Sequence, residues 1–151
     1  SSRRSLCINY DDNQYIYDKI YNNNKLKKII KNLYNKEYKL NPSYPIEYRI
    51  YDDKSEGMAW HKDTSLFDPD CLEVVLTLDN SSDSKFHWIE DDQYRSINTS
   101  DNTLVIVKPN TILHKVSPLN YGTRRILKFI IEFNNCKPND NFYMELKNCP
   151  I

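Results

Sequence analysis

After residue 42 the hydrophobic pattern of the chain changes from steps of three and four residues to short apolar runs. Turn-rich stretches separate these runs, and no helical pattern lies between them. A series of short strands without intervening helices must pair largely as antiparallel sheets. The sequence therefore predicts a mainly β domain, a sandwich or barrel, whose strands are 46–51, 72–78, 86–89, 104–107, 112–116 and 125–133.

The residues before this region have the periodicity of amphipathic helices. Apolar side chains recur at three- and four-residue steps within residues 13–40, with lysines between them. We predict one or two helices, interrupted near residues 22–24 and packed on one sheet. At 151 residues the chain fits a single domain. We expect residues 1–40 to support it, 41–135 to form its core and 136–151 to be a C-terminal tail.

The charge balance argues against a nucleic-acid partner. Lys plus Arg equals Asp plus Glu at 21 each, so the chain has no net charge to attract a polyanion. No apolar run approaches the ~20 residues of a membrane span, and residues 1–5 do not resemble a signal peptide. We therefore expect a soluble, intracellular protein without a membrane partner.

The cysteines and glycines give two smaller expectations. Cys7, Cys71, Cys136 and Cys149 lack the CxxC spacing of a zinc site, so we expect free thiols. A bridge between Cys136 and Cys149 is the alternative. The chain has only two glycines, Gly57 and Gly122, and each lies in a predicted turn where a positive φ angle is expected.

The segment Met58-Ala-Trp-His61-Lys-Asp63 places an imidazole and a carboxylate two residues apart at a predicted strand end. In an extended chain, residues i and i+2 project to the same face, so one metal ion can contact both. A second histidine from a distant strand would complete a two-histidine-one-carboxylate triad. Such a triad leaves adjacent coordination positions open.

The chain has three histidines, so the third ligand is either His87 or His114. His87 is followed by acidic residues, and nothing after it resembles an anchor for an anionic cosubstrate. His114 follows the apolar run 104–107 and precedes a glycine-containing turn that returns with Arg124 and Arg125. This context favours His114.

The complete pattern is His61-x-Asp63, then His114, and then Arg124 ten residues later. It resembles the 2-oxoglutarate/Fe(II)-dependent oxygenases of the prolyl and lysyl hydroxylase type. The segment His114-Lys-Val-Ser-Pro-Leu-Asn-Tyr-Gly-Thr-Arg124 is similar to that family's HxVxPVxxGxR segment. The resemblance covers about residues 46–133 and implies a double-stranded β-helix, or jelly-roll.

The resemblance also implies a role for each residue of the pattern. His61, Asp63 and His114 would bind Fe(II) as the catalytic centre, and 2-oxoglutarate would chelate the metal as cosubstrate with O2. Ascorbate is a further candidate cofactor. Arg124 would bind the distal carboxylate, because a guanidinium offers a planar fork to a carboxylate. Tyr51 and Thr77 occupy positions of cosubstrate contacts in prolyl-hydroxylase-like members.

The implied reaction is hydroxylation of a C–H bond, with a prolyl or lysyl residue of a peptide or protein as substrate and release of succinate and CO2. Trp60, Trp88 and Tyr48 are candidates for lining the substrate's path. The alternatives are hydroxylation of a free amino acid or small metabolite, and a catalytically silent jelly-roll that binds a partner. The family often carries a glycine pair where this chain has Asp83-Ser84-Lys85. The resemblance therefore does not predict how a substrate reaches the site at this loop.

Arg125 is the rival of Arg124 on the same predicted strand. The alternating set that contains Arg125 is the more apolar face of residues 125–133, and periodicity alone would turn that face inward. If Arg124 points inward, Lys128 does too and needs a partner or a nearby anion. The family spacing favours Arg124.

Overall fold

A computed structural model describes residues 3–147 of the chain. Most of its elements are short strands, and two of its helices lie near the N-terminus. In chain order the elements are β1 (Arg3–Ile8), α1 (Gln14–Tyr21), α2 (Asn24–Tyr34), β2 (Tyr38–Lys39), β3 (Ile46–Tyr51), β4 (Met58–His61), β5 (Phe67–Asp68), β6 (Cys71–Asn80), β7 (Phe86–Glu90), β8 (Gln93–Ile97), β9 (Thr103–Val107), β10 (Leu113–Val116), β11 (Arg124–Phe133), β12 (Lys137–Pro138) and α3 (Asp140–Leu146).

Two antiparallel sheets form the body of the described chain. The larger sheet has the strand order β1-β3-β11-β6-β9, with β2 beside β11, and the smaller sheet has the order β4-β10-β7-β8. The chain crosses repeatedly from one sheet to the other, so most neighbouring strands within a sheet are distant in sequence, whereas β7 and β8 form a hairpin. This is the topology of a jelly-roll, and it confirms the predicted fold class.

The N-terminal helices pack on the larger sheet. Tyr17 from α1 and Leu26 and Ile30 from α2 form one buried cluster with side chains of the sheet, and Ile30 is fully buried. Complete burial of a side chain of this size stabilises the fold by roughly 1.5–3 kcal/mol. The sheet contributes Ile46, Leu72, Val74, Phe129, Ile131 and Phe133 to the cluster.

This packing resolves the two faces of β11. Leu127, Phe129, Ile131 and Phe133 pack in the cluster shared with the helices, so the more apolar face of the strand meets α1 and α2. The opposite face, which carries Arg124, is turned toward the smaller sheet. Periodicity alone would have reversed this assignment, because it cannot tell a face covered by helices from one covered by another sheet.

The Tyr17 hydroxyl ties α1 to two segments of the chain. It lies 3.0 Å from the Ile8 carbonyl oxygen and 2.8 Å from that of Tyr44, and it accepts a hydrogen bond from the Ile46 amide at 3.2 Å. We expect Tyr17→Phe to lower the free energy of unfolding by roughly 1–3 kcal/mol, since the buried carbonyl and amide groups lose their partner.

Urea unfolding followed by circular dichroism measures this loss. Tyr15→Phe is the control, because Tyr15 is also on α1 but its side chain is largely exposed. Equal stabilities for the Tyr17 and Tyr15 variants would show that the hydroxyl is not a structural tie.

Asparagine and aspartate take most of the left-handed backbone positions in this glycine-poor chain. Gly57 and Gly122 have φ angles of 73° and 75°, as predicted, and a Cβ atom at either would collide with backbone. The other positive φ angles belong to asparagine or aspartate, which tolerate this conformation better than other L-residues. These are Asn35, Asp91, Asp92, Asn102, Asn110 and Asn135.

The thiol expectation is confirmed in part. Among the described cysteines, Cys71 and Cys136 are free, whereas Cys7 is disulfide-bonded. The expectation of a free thiol was therefore wrong for Cys7. The alternative bridge from Cys136 is also excluded, because Cys136 is free; Cys149 itself lies outside the described residues. Within 3–147, no helix is both long enough and apolar enough to cross a membrane.

Candidate metal centre and anion pocket

A cavity lies between the two sheets and opens to solvent, with a volume of about 550 Å³ including its mouth. Apolar side chains such as Val75, Val105 and Ile126 form much of its wall. The polar groups that line it are Arg49, Tyr51, His61, Asp63, Glu73, His114, Arg124 and Lys128.

Pairing of β4 with β10 brings the predicted metal ligands together. His61 and His114 are direct partners across these antiparallel strands, and Asp63 follows the end of β4. The Nε2 atoms of His61 and His114 lie 3.3 and 3.4 Å from the two carboxylate oxygens of Asp63. One potential donor atom from each residue falls within 4.8 Å of the others, a spacing that one metal ion can bridge.

The backbone orients both imidazole rings. The Nδ1 atom of His61 lies 2.7 Å from the Ala59 carbonyl oxygen, and that of His114 lies 3.0 Å from the Ile112 carbonyl oxygen. A carbonyl oxygen can only accept, so Nδ1 carries the proton in each ring. In a neutral ring Nε2 then carries a free lone pair on the side of Asp63, which is the tautomer needed for metal binding. In the protonated ring of His114, Nε2 instead donates a hydrogen bond to Asp63.

The pKa values of Asp63 and Glu73 are shifted in opposite directions. Burial acts to raise the pKa of Asp63, but hydrogen bonds with His114 and Glu73 outweigh it and hold that pKa well below its usual range. Burial raises the pKa of Glu73 to about 8; Lys128 opposes this rise and the hydrogen bond with Asp63 adds to it.

Arg124 lies in the wall of the same cavity, at the start of β11. It is 5% exposed, and burial lowers the pKa of its guanidinium. The group lies over the Tyr51 ring, 5.4 Å from its centroid. No carboxylate among residues 3–147 forms an ion pair with it, so a charged group is buried without a counter-ion.

Arg125 has the opposite environment. Its side chain is on the surface, where Nε lies 3.0 Å and Nη2 2.8 Å from the two carboxylate oxygens of Asp79. In the cavity wall, Arg49 is paired with Glu47, and Lys128 is paired with Glu73 at 3.3 Å. Within the described chain, Arg124 is therefore the cavity guanidinium left to bind an anion.

Thr77 is fully buried, and its hydroxyl has no hydrogen-bond partner in the described part of the chain. It lies on β6 at the same alternation as Glu73 and Val75, which line the cavity. Thr77 itself is not part of the cavity wall. A buried hydroxyl without a partner is unusual.

Four side chains that the sequence analysis considered for the site do not line the cavity: His87, Trp60, Trp88 and Tyr48. His87 is the β7 partner of Lys115, so alternation turns it to the outer face of the smaller sheet, where Nδ1 contacts the Tyr94 hydroxyl. Trp60 lies beside Lys115, and Tyr48 interacts with Arg125 on the opposite side of β3 from Arg49. Trp88 lines a separate groove. None of Trp60, Trp88 and Tyr48 lines this cavity, and their expected place along the substrate's path stays a prediction.

No protein-family model matches the sequence, and neither does any curated protein. Solved structures are similar to it in fold. SnoN, a non-haem α-ketoglutarate-dependent epimerase from nogalamycin biosynthesis, has a TM-score of 0.73 and 10% identity over 97% of this chain and 66% of that one. A prolyl hydroxylase from Trichoplax adhaerens, in complex with a hypoxia inducible factor peptide fragment, has a TM-score of 0.64 and 15% identity over 88% and 63%.

HygX from Streptomyces hygroscopicus, with nickel and 2-oxoglutarate bound, has a TM-score of 0.63 and 9% identity over 89% of this chain and 71% of that one. The chain has the fold of the 2-oxoglutarate/Fe(II) oxygenases. It spans 55% to 71% of the length of the similar structures, less than two thirds in several of them. At these identities the likeness concerns the fold, and the chemistry must be argued from the residues of this chain.

Proposed function

We propose that this protein is a 2-oxoglutarate- and Fe(II)-dependent oxygenase that hydroxylates a C–H bond. The observation that carries the proposal is the presence, in one cavity, of a clustered His61, Asp63 and His114 and a buried Arg124 without a counter-ion. The first set suits a divalent first-row metal with open coordination positions. The second suits the carboxylate of a ligand that extends from that metal.

The charges of the cavity support a dianionic cosubstrate. A divalent cation beside the Asp63 carboxylate leaves one positive charge, and Arg124 supplies another. 2-Oxoglutarate carries two carboxylates and would balance both. Tyr51 would support the Arg124 guanidinium and could contact the carboxylate bound there. The Thr77 hydroxyl, which has no hydrogen-bond partner, would gain one if that carboxylate approached it.

Each residue has a separate task in this proposal. His61, Asp63 and His114 would hold Fe(II), while Arg124, Tyr51 and Thr77 would bind and orient 2-oxoglutarate. When bound, iron and cosubstrate supply the oxidising chemistry with O2, and ascorbate is a candidate reductant. The valine and isoleucine side chains of the wall would limit the access of water to the centre.

We propose a prolyl residue of a peptide or protein as the substrate, with a lysyl residue next in order. The solved Trichoplax prolyl hydroxylase in complex with a peptide supports this choice, as does the similarity of the His114–Arg124 segment to prolyl and lysyl hydroxylases. A small-molecule substrate is the second candidate, since SnoN is an epimerase from nogalamycin biosynthesis. We further propose that residues 1–151 act as one oxygenase domain and that the protein is intracellular.

The test is succinate formation that requires Fe(II), 2-oxoglutarate, O2 and an added substrate. The protein is incubated with proline-containing peptides, lysine-containing peptides and free amino acids, and succinate is quantified by NMR. We expect peptide-dependent succinate and a product heavier by one oxygen atom. Turnover with free amino acids alone would overturn the peptide assignment. A metal-loaded protein that releases no succinate with any of them would favour a silent binding module.

A further inference from the structure

Strand β9 lies at one end of the larger sheet and leaves a backbone edge open. It pairs with β6 on one side, and no strand of residues 3–147 pairs with it on the other. In an antiparallel ladder the N–H and C=O groups of alternate residues face the partner strand, so those of the residues between them point to the open edge. Within the described chain, these outward groups have no strand partner.

The open edge of β9 is apolar and regular. Its five residues are Thr-Leu-Val-Ile-Val, and their register with β6 runs without a shift. The end strands β1 and β8, in contrast, carry Arg3, Arg4 and Arg95. Charged residues, prolines and bulges are the usual devices that keep an open edge from pairing, and β9 has none of them. Its sequence therefore favours pairing with another strand.

A groove runs along this open edge, where it is lined by the consecutive residues 104–108. Side chains of consecutive strand residues point to opposite faces. Leu104 and Ile106 pack on the cluster shared with the helices, whereas Val105 and Val107 also line the cavity between the sheets. Because residues of both faces contribute to the groove, it follows the edge of the strand and not one of its faces.

The walls of the groove come from the elements on either side of the edge. Tyr34 at the end of α2 lines it, and so do Trp88 on β7 and Ile97 on β8 of the smaller sheet. An open strand edge between apolar walls is the arrangement that binds an extended peptide by strand addition. In that mode the backbone supplies the hydrogen bonds, and the walls accept alternate side chains.

The groove adjoins the cavity that contains the candidate metal ligands. Phe86, Val105 and Val107 line both spaces. The centroid of the Phe86 ring also lies 5.4 Å from that of the His114 ring. A peptide bound in the groove would therefore lie beside the proposed metal centre, with these side chains between them.

We propose that β9 binds the peptide substrate by strand addition, with the segment next to the reacting residue extended in this groove. The inference rests on the proposed function, because it takes the occupant to be the substrate of the oxygenase. Backbone hydrogen bonds would select an extended segment and tolerate different side chains. Proline would be excluded from the positions whose N–H faces β9, so the reacting prolyl residue lies outside the paired segment.

Backbone methylation of a probe peptide tests strand addition directly. The probe is a capped peptide of alternating valine and serine followed by one prolyl residue, and two analogues carry N-methyl groups on either the valines or the serines. In a strand these two sets of N–H groups face opposite sides. We expect one analogue to bind at least about 10-fold more weakly than the probe, because it loses more than one hydrogen bond, and the other to bind nearly as well.

A charge placed in the groove wall gives a second measurement. Ile97→Lys should weaken binding of the probe by at least about 10-fold, because the bound peptide would bury the new ammonium group. Ile29→Lys is the matched control: Ile29 is 37% exposed and Ile97 41%, but Ile29 lies on α2 and does not line the groove. Binding is followed by fluorescence anisotropy of the labelled probe without oxygen, so it does not depend on turnover.

The outcomes separate this inference from the proposed function. Equal affinities for the two methylated analogues would overturn strand addition, as would an equal loss in Ile97→Lys and Ile29→Lys. Protein that is dimeric without peptide and becomes monomeric in Ile97→Lys would assign the edge to a second copy and likewise overturn it. Unequal analogues without succinate formation from any substrate would support the peptide groove and overturn the proposed oxygenase reaction.

Discussion

His61→Ala is expected to abolish the visible charge-transfer band that wild-type protein develops with Fe(II) and 2-oxoglutarate in the absence of oxygen. The band requires the metal and the chelating cosubstrate together. Removing His61 leaves Asp63 and His114, and two donors cannot hold the ion in competition with water at micromolar concentration. The measurement is an anaerobic titration followed by absorption spectroscopy.

His87→Ala is the matched control for this titration. His87 lies on the outer face of the same sheet, where its ring contacts the Tyr94 hydroxyl, so its loss should leave the band intact. A band that survives in His61→Ala but disappears in His87→Ala would place the metal on the other side of the sheet and contradict the proposed centre.

Arg124→Met is expected to weaken 2-oxoglutarate binding by about 100-fold or more while leaving metal uptake nearly unchanged. A buried guanidinium can form two charge-assisted hydrogen bonds with a carboxylate, and the loss of about 3 kcal/mol corresponds to roughly two powers of ten in affinity. The methionine keeps much of the side-chain volume. Anaerobic titration of the Fe(II)-loaded protein with 2-oxoglutarate gives the dissociation constant.

Arg125→Met provides the comparison, because it removes the adjacent arginine, which pairs with Asp79 on the surface. We expect its 2-oxoglutarate affinity to match that of wild type. A large loss in Arg125→Met, with none in Arg124→Met, would mean that the cosubstrate binds elsewhere and that the cavity has been assigned to the wrong ligand.

The sequence predicted the strands that have a buried face. The predicted ranges 46–51, 72–78, 86–89, 104–107, 112–116 and 125–133 correspond to β3, β6, β7, β9, β10 and β11. Strand β8 has no such signal, because every one of its residues is exposed and its composition is polar. Helix α3 is only seven residues long, too short for a helical repeat to be recognised in residues 136–151.

Part of the candidate site could also be predicted from local sequence patterns. The spacing of His61 and Asp63 and the segment from His114 to Arg124 are local patterns, and the structure brings all four side chains to one cavity. Their roles as ligands stay predictions. Glu73, which lines the cavity from the larger sheet, was missed because no local sequence pattern records how the two sheets face each other. Which face of β11 carries the cavity residues, and so whether Arg124 points inward, likewise depends on the side of the strand that the helices cover.

The division of the cavity between two sheets has a consequence for ligand choice. The proposed metal ligands come from the β4–β10 side, and Arg124 comes from β11 in the facing sheet. Facing sheets pack at a nearly constant separation of about 10 Å, set by the side chains between them. A molecule bound at both ends must therefore match that gap, so the scaffold itself would act as a gauge that discriminates between dicarboxylic keto acids of different carbon-chain length.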